Sequence, residues 1–286
     1  MHIAALTMVH NEPLWAPIWA RHYAAQLGPE HCYMIDHGTT DRSLDALPAP
    51  IRIEPIERAP LDEAWRATFI ASRAHTLLQT YDAVIHTDAD ELLIPDPAHW
   101  PSLRAWAGSK PPATVTAVGL DVQHIPNEEP RLDPDQPIAD QRRWLRFSAA
   151  MCKPVFTQRP IQWSPGFHSA SAPLVLAGLV LLHFRYADLD AGLHRLARTR
   201  AQSFADPHTG QHQRVSGPDF TAMIQAIAQL PRRNTPIDPA RAPLRPWLTQ
   251  LFQDRLHREH ELYKLDLSRA GNELWSGRSL LEALSV

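Results

Sequence analysis

Three carboxylates stand within four positions of the stretch "VIHTDADELLIPDP" (residues 84–97): Asp88, Asp90 and Glu91. Asp88 and Asp90 are two residues apart, so on extended backbone they project to the same side and can share one ion. Hard oxygen ligands suit Mg²⁺ or Mn²⁺, and two protein carboxylates leave room for substrate phosphates. The alternative is a solvated loop whose acids cap a helix. An EF-hand is excluded because the required glycine and closing glutamate are missing.

Regular elements alternate before this cluster. Apolar periodicity and end signals predict strands at "HIAALTMV" (2–9), "HCYMID" (31–36), "IRIEPIE" (51–57) and "DAVIHTD" (82–88), and helices at 13–28 and 62–81. This alternation predicts an α/β sheet that is largely parallel. Ligands bind outside the carboxyl ends of such strands, which is where the acids fall.

The regular alternation of strands and helices ends after about residue 100. We expect a short helix at 101–108, a strand at 113–125, a polar loop at 127–137, strands in "MCKPVF", "FHSAS" and "LVLAGLVLLHFRY", and a mostly helical chain from residue 188, including 246–267. The predicted organisation is a catalytic domain at 1–187, with a donor half (1–110) and an acceptor half (111–187). A helical extension (188–286) follows it.

Bulk composition restricts the class of protein. The chain has 286 residues, 44% of them hydrophobic, and a formal net charge of -3, which gives no electrostatic case for a nucleic-acid partner. Two cysteines suit a reducing compartment. The start lacks a basic signal-peptide region, and the longest apolar stretch (173–184) is too short to span a bilayer. We expect a cytoplasmic protein without a transmembrane segment, and leave peripheral membrane contact and homo-oligomerisation open.

Three motifs in order carry a resemblance to a known family. "ALTMVHNEPLWAPIWARHYAAQLGPEHCYMIDHGTTDRS" resembles the N-terminal nucleotide-binding signature of family 2-like glycosyltransferases, and "YDAVIHTDADELL" resembles their D-x-D-E segment. The resemblance covers about the first 100 residues, and "KPVF", "GFHS" and "LLHFRY" extend it more weakly. His10 and His37 depart from the usual pattern, as does "TTDRS".

This resemblance implies a GT-A fold, which is the nucleotide-diphospho-sugar transferase fold, with a mostly parallel central sheet and helices on both faces. It also implies a UDP- or GDP-sugar donor, a divalent cation (Mn²⁺ or Mg²⁺) and inverting transfer to a hydroxyl of a glycan, lipid-linked or other acceptor.

The resemblance also implies site residues. The residues expected to bind the nucleotide are Asn11, Glu12, Asp36, Arg73 and Asp88. Asp90 would ligate the metal directly, and Asp88 would reach the ribose or the metal. Structural alternatives are helix capping by Asn11, an Asx-turn at Asp36, and surface salt bridges for Arg73 and for Arg66, which faces a similar direction.

A further metal ligand and a catalytic base are also expected. His183, at the end of an apolar strand, is the candidate ligand, and His168 competes with it. A buried, hydrogen-bonded histidine is the alternative. Asp121 is the candidate base, with Glu128 and Glu129 as competitors.

Two other functions stay open. A Mg²⁺-dependent nucleotidyltransferase would need a glycine-rich phosphate loop near the first strand, and "MVHNEP" contains no glycine. A catalytically silent nucleotide-sugar-binding module would bind a donor without turnover.

Overall fold

The computed structural model describes residues 1–45, 47, 50–206, 214–237, 248, 257–259 and 261–284. The strands are β1 (Ile3–Val9), β2 (Cys32–Asp36), β3 (Arg52–Pro55), β4 (Ala83–His86), β5 (Glu91–Pro95), β6 (Thr114–Gln123), β7 (Trp144–Phe147), β8 (Pro154–Thr157), β9 (Leu176–His183), β10 (Arg232–Pro236), β11 (His257–Glu259), β12 (Leu262–Lys264) and β13 (Leu274–Ser276). The helices are α1 (Trp15–Leu27), α2 (Glu63–Leu77), α3 (Leu103–Gly108), α4 (Ile138–Gln141), α5 (Leu189–Ala201), α6 (Gly217–Ala228) and α7 (Arg278–Leu281).

One mixed sheet organises the molecule. Its order is β10-β13-β7-β6-β8-β4-β1-β2-β3, and β9 pairs with both β5 and β6. Strands β4, β1, β2 and β3 are parallel, whereas β8 joins β4 and β6 in antiparallel register. The predicted α/β architecture is therefore confirmed, and β4, β1, β2 and β3 form the parallel part of the sheet.

Helices α1 and α2 cover opposite faces of the parallel strands. Every residue of β1 is buried, and alternate side chains point to opposite faces. One face, including Ile3 and Ala5, packs against α1, and the other, including Ala4 and Leu6, packs against α2. Burial on both faces explains the nearly continuous apolar run of β1.

The later chain departs from the expectation in two places. "FHSAS" is not a strand, because Phe167 ends a 3₁₀ turn around Gly166 at φ 73° and Ala170 makes only isolated bridges. The C-terminal third contains the helices α5 and α6, but it also supplies β10 and β13 to the central sheet. This extension is therefore not wholly helical.

The helix expected at 246–267 falls mostly on residues outside the described ranges. Where that stretch is described, β11 and β12 form an antiparallel pair, so a helix does not continue there. Among the helices that the structure describes, none is long and apolar enough to cross a membrane.

Candidate active site

The acids of the D-x-D motif lie on a turn between β4 and β5. The amide of Glu91 donates to the carbonyl of Asp88 at 3.0 Å, which closes the turn. The expectation of extended backbone at this point is wrong, because the chain reverses its direction between β4 and β5. Asp88 and Asp90 consequently meet different partners.

Buried hydrogen bonds from α1 hold this turn in place. The Thr87 hydroxyl accepts from Trp19 Nε1 at 2.9 Å and lies 3.1 Å from the Tyr23 hydroxyl. Tyr23 also accepts from the amide of Leu93 at 3.0 Å, on the other side of the acids. Sequence reasoning missed this role, although the spacing of Trp19 and Tyr23 on one face of α1 is its signal.

Asp88 and Glu91 share a buried lysine. Lys153 Nζ lies 3.0 Å from Asp88 Oδ2 and 2.6 Å from Glu91 Oε1. Arg66, from α2, binds the other oxygen of Asp88. Burial disfavours charge on Lys153, but the two carboxylates outweigh it and raise the pKa of Lys153. The ammonium therefore stays charged inside the protein.

Asp90 and Asp121 lie on either side of His183. His183 Nδ1 is 2.7 Å from Asp121 Oδ1, and its Nε2 is 3.4 Å from Asp90 Oδ2. Burial alone would lower the pKa of His183, but the two carboxylates raise it to about 9. The imidazole is therefore protonated at neutral pH, and Arg146 Nη2 adds a contact to Asp121 at 3.3 Å.

Helix α5 brings two arginines to the same acids. Arg195 binds Asp90, and its Nε lies 3.2 Å from Glu12 Oε2. Arg198, three residues later on the same helix face, lies 3.2 Å from Glu12 Oε1. The N-cap Asp188, whose side chain accepts from Ala191 N at 2.8 Å, starts this helix.

A cavity of about 340 Å³ opens among these groups. Its lining includes residues that follow β1, β2, β3 and β4, so it lies at the carboxyl ends of the parallel strands. The carboxylates on its wall are Glu12, Glu63, Asp88, Asp90, Glu91 and Asp121. The arginines and lysine on its wall are Arg58, Arg66, Arg146, Lys153, Arg185, Arg195 and Arg198. Its volume falls in the range of small-molecule sites.

The structure brings together several predicted site residues. Those on the cavity wall are Glu12, Asp88, Asp90, Asp121 and His183. His168 also lines the cavity, and its Nδ1 is 2.7 Å from the carbonyl oxygen of Ala150. Among the three acids considered as a base, Asp121 lies on the wall. Glu128 instead pairs with Arg232 at 2.6 Å, and Glu129 accepts from the amide of Ile125.

Three predicted nucleotide contacts are not on the cavity wall: Asn11, Asp36 and Arg73. Asn11 Oδ1 accepts from the amide of Thr40 at 2.7 Å, and Asp36 Oδ1 accepts from that of Thr39 at 2.7 Å. Arg73 pairs with Glu54. Asp36 and Arg73 make the loop and salt-bridge contacts that the structural alternatives anticipated, whereas Asn11 holds a distant loop and does not cap α1, whose N-cap is Leu14. Nucleotide contact by these three residues stays a prediction.

The side chains present do not fit a divalent cation in this arrangement. Such an ion needs carboxylate oxygens or neutral imidazole nitrogens directed at one point. Asp88 instead binds Arg66 and Lys153, Asp90 binds Arg195, and both nitrogens of His183 face carboxylates. Within the described ranges, no group of three or more His, Cys, Asp or Glu side chains could hold a metal. The expected Mn²⁺ or Mg²⁺ stays a prediction from the sequence.

Comparisons with known proteins give distant structural likenesses. No family model matches the chain, and no curated protein does. Residues 1–349 of S. aureus TarS are 11% identical, with 74% of this chain and 68% of that chain covered and a TM-score of 0.33. A longer TarS chain has a TM-score of 0.35 at 11% identity, covering 78% of this chain and 43% of that one.

The mannose-1-phosphate geranyltransferase from Thermus thermophilus is 15% identical, with 78% of this chain and 68% of that chain covered and a TM-score of 0.27. These three likenesses assign no activity to this chain.

Proposed function

We propose that this chain is a glycosyltransferase of GT-A type, which transfers a sugar from a nucleotide-diphosphate donor to an acceptor hydroxyl. The observation that supports it is the position of the cavity, at the carboxyl ends of β1, β2, β3 and β4. There the D-x-D acids meet a set of arginines and a lysine that can bind phosphate oxygens. The motifs around Asn11, Asp36 and Asp88 make a nucleotide sugar the ligand class that we favour.

The proposed step is one displacement at the anomeric carbon. The acceptor oxygen forms a bond to that carbon, and the bond from the carbon to the donor phosphate breaks. The electron pair leaves with the nucleoside diphosphate, whose charge the cavity cations stabilise. The hydroxyl proton passes to a carboxylate of the protein.

Asp121 remains the candidate for that carboxylate. It lies on the cavity wall, and its oxygens accept from His183 and Arg146. Because the Arg146 contact is the longer one, at 3.3 Å, it is the contact that an acceptor hydroxyl would replace. His183 would hold the other oxygen and keep the carboxylate oriented.

A thermal-shift screen tests the proposal. UDP- and GDP-sugars are added to the full chain, with and without Mn²⁺. We expect at least one of them to raise Tm, because a ligand that binds only the folded state at 100 times its Kd stabilises that state by about 2.7 kcal/mol. A panel in which no nucleotide sugar shifts Tm in either condition would contradict the proposal.

A variant pair locates the binding site. Asp90→Ala removes a carboxylate that positions Arg195 and should weaken donor binding by about tenfold or more. Asp190→Ala is the matched control, because Asp190 lies on α5, the helix of Arg195, but is an exposed acid 3.9 Å from Arg131. The control variant should show the same ligand-induced increase in Tm as the wild type.

A further inference from the structure

The cavity wall carries an excess of positive charge. Seven arginine and lysine side chains face six carboxylates there, before any histidine is counted. The acids of the D-x-D motif already have protein cations as counter-ions. A divalent cation would add positive charge to this wall, whereas a diphosphate would balance it.

The hydrogen-bonding capacity of the wall points the same way. Arg146 lines the cavity, and its buried Nε has no hydrogen-bond partner among the described residues. A buried donor without an acceptor is costly, and an anion would satisfy it. A metal ion would not, because it needs lone pairs and Arg146 has none to offer.

Arg195 and Arg198 on α5 have N–H groups left for a ligand, as far as the described residues show. A guanidinium presents five N–H groups, and Arg195 uses its Nη1 and Nε atoms on Asp90 and Glu12. Arg198 uses Nη2 on Glu12. Both side chains are about 30% exposed, at 29% and 31%, so a ligand entering the cavity can reach them. Their planar donor geometry matches phosphate oxygens.

We propose that the cavity binds the diphosphate of its nucleotide directly through protein cations, with Arg195, Arg198 and Arg146 as donors and without a divalent cation. This inference rests on the proposed function, since it concerns how the same site holds its donor. The acids keep a role in it: Asp90 and Glu12 fix the guanidinium of Arg195.

Calorimetric titration of UDP and of GDP into the full chain tests it. One series contains EDTA and the other contains MnCl₂. We expect binding in both series, with Kd values that agree within about threefold. Binding that requires Mn²⁺, or that Mn²⁺ strengthens by about tenfold or more, would overturn the inference and leave the proposed function standing.

A substitution on α5 tests whether this helix contacts the diphosphate. Arg198→Met should weaken nucleotide binding in EDTA by about tenfold, and folding should persist because Glu12 keeps Arg195 as its partner. Arg232→Met is the matched control: Arg232 has the same side-chain exposure of 31%, but it pairs with Glu128 away from the cavity. Equal binding by Arg198→Met and Arg232→Met would overturn the assignment. If neither nucleotide, nor any nucleotide sugar, binds in either series, the inference falls together with the proposed function.

Discussion

Lys153 Nζ lies 2.6 Å from Glu91 Oε1, and the two side chains are only 5% and 2% exposed. A buried ion pair of this kind couples the D-x-D turn to β8, which begins one residue after Lys153. Removing one partner leaves a charge in the interior without a counter-ion. We therefore expect Lys153→Met to destabilise the fold by about 3–5 kcal/mol, measured by urea unfolding with tryptophan fluorescence.

The double variant Lys153→Met/Glu91→Leu is the control for this pair. It replaces both charges by apolar side chains, so it should be more stable than Lys153→Met alone. Asp88 keeps Arg66 in both variants. If the two substitutions destabilise additively, the pair is not coupled and the prediction is wrong.

Gly119 on β6 determines how closely the chain before Lys153 can approach the sheet. A Cβ at Gly119 would lie 2.2 Å from the backbone carbon of Met151 and 2.6 Å from the amide nitrogen of Cys152. Neither backbone atom can move without shifting Lys153. We expect Gly119→Ala to cost about 1–3 kcal/mol of stability and to weaken nucleotide binding, both measured on the same preparation.

Gly108 provides the comparison for Gly119. A Cβ at Gly108 meets nothing within 4 Å, so Gly108→Ala should be neutral or slightly stabilising, by up to about 1 kcal/mol. If both alanine variants lost similar amounts of stability, the close approach of the backbone to Gly119 would not be the cause of the loss.

His22 makes stability depend on pH. It is fully buried on α1, its Nε2 is 2.9 Å from the carbonyl of Leu93, and burial lowers its pKa from 6.5 to about 4. The pKa of His22 is lower in the folded protein than in the unfolded chain. The contribution of neutral His22 to the free energy of unfolding is therefore fully present above about pH 6.5, and it is lost as the pH falls towards 4.

His22→Gln, which can still donate to Leu93, isolates this effect. Between pH 6.5 and 5, wild type should lose about 1.6 kcal/mol of unfolding free energy relative to the variant, because the slope is half of about 1.4 kcal/mol per pH unit at pH 6.5 and approaches that value below it. Parallel pH profiles of the two proteins in chemical denaturation would contradict the prediction.

The α/β alternation could be predicted because its signals are local. The apolar run of β1, the N-cap Asp62 of α2 and the glycine after α1 each specify an element from a few neighbouring residues. The extra strands β10 and β13 could not be predicted in this way. β10 pairs with β13, and β13 pairs with β7, which lies far away in the sequence.

The acids of the site could also be found from the sequence, but their partners could not. Asp90 and Arg195 are 105 residues apart, and Glu12 and Arg198 are 186 apart. No local pattern marks an arginine on a polar helix as the partner of a distant carboxylate. The metal expectation arose from the acids and from the family resemblance, and the cations that contact these acids become visible only in the folded chain.

Phosphorus NMR of the full chain incubated with the nucleotide sugar that it binds tests the central claim most directly. Glycosyl transfer, to an added acceptor or to water, breaks the bond between the anomeric carbon and the phosphate. We predict that a nucleoside diphosphate accumulates with the wild type. The control variant Arg232→Met should form it at the same rate. Formation of a nucleoside monophosphate with a sugar 1-phosphate, or saturated binding without any product across an acceptor panel, would contradict a glycosyltransferase.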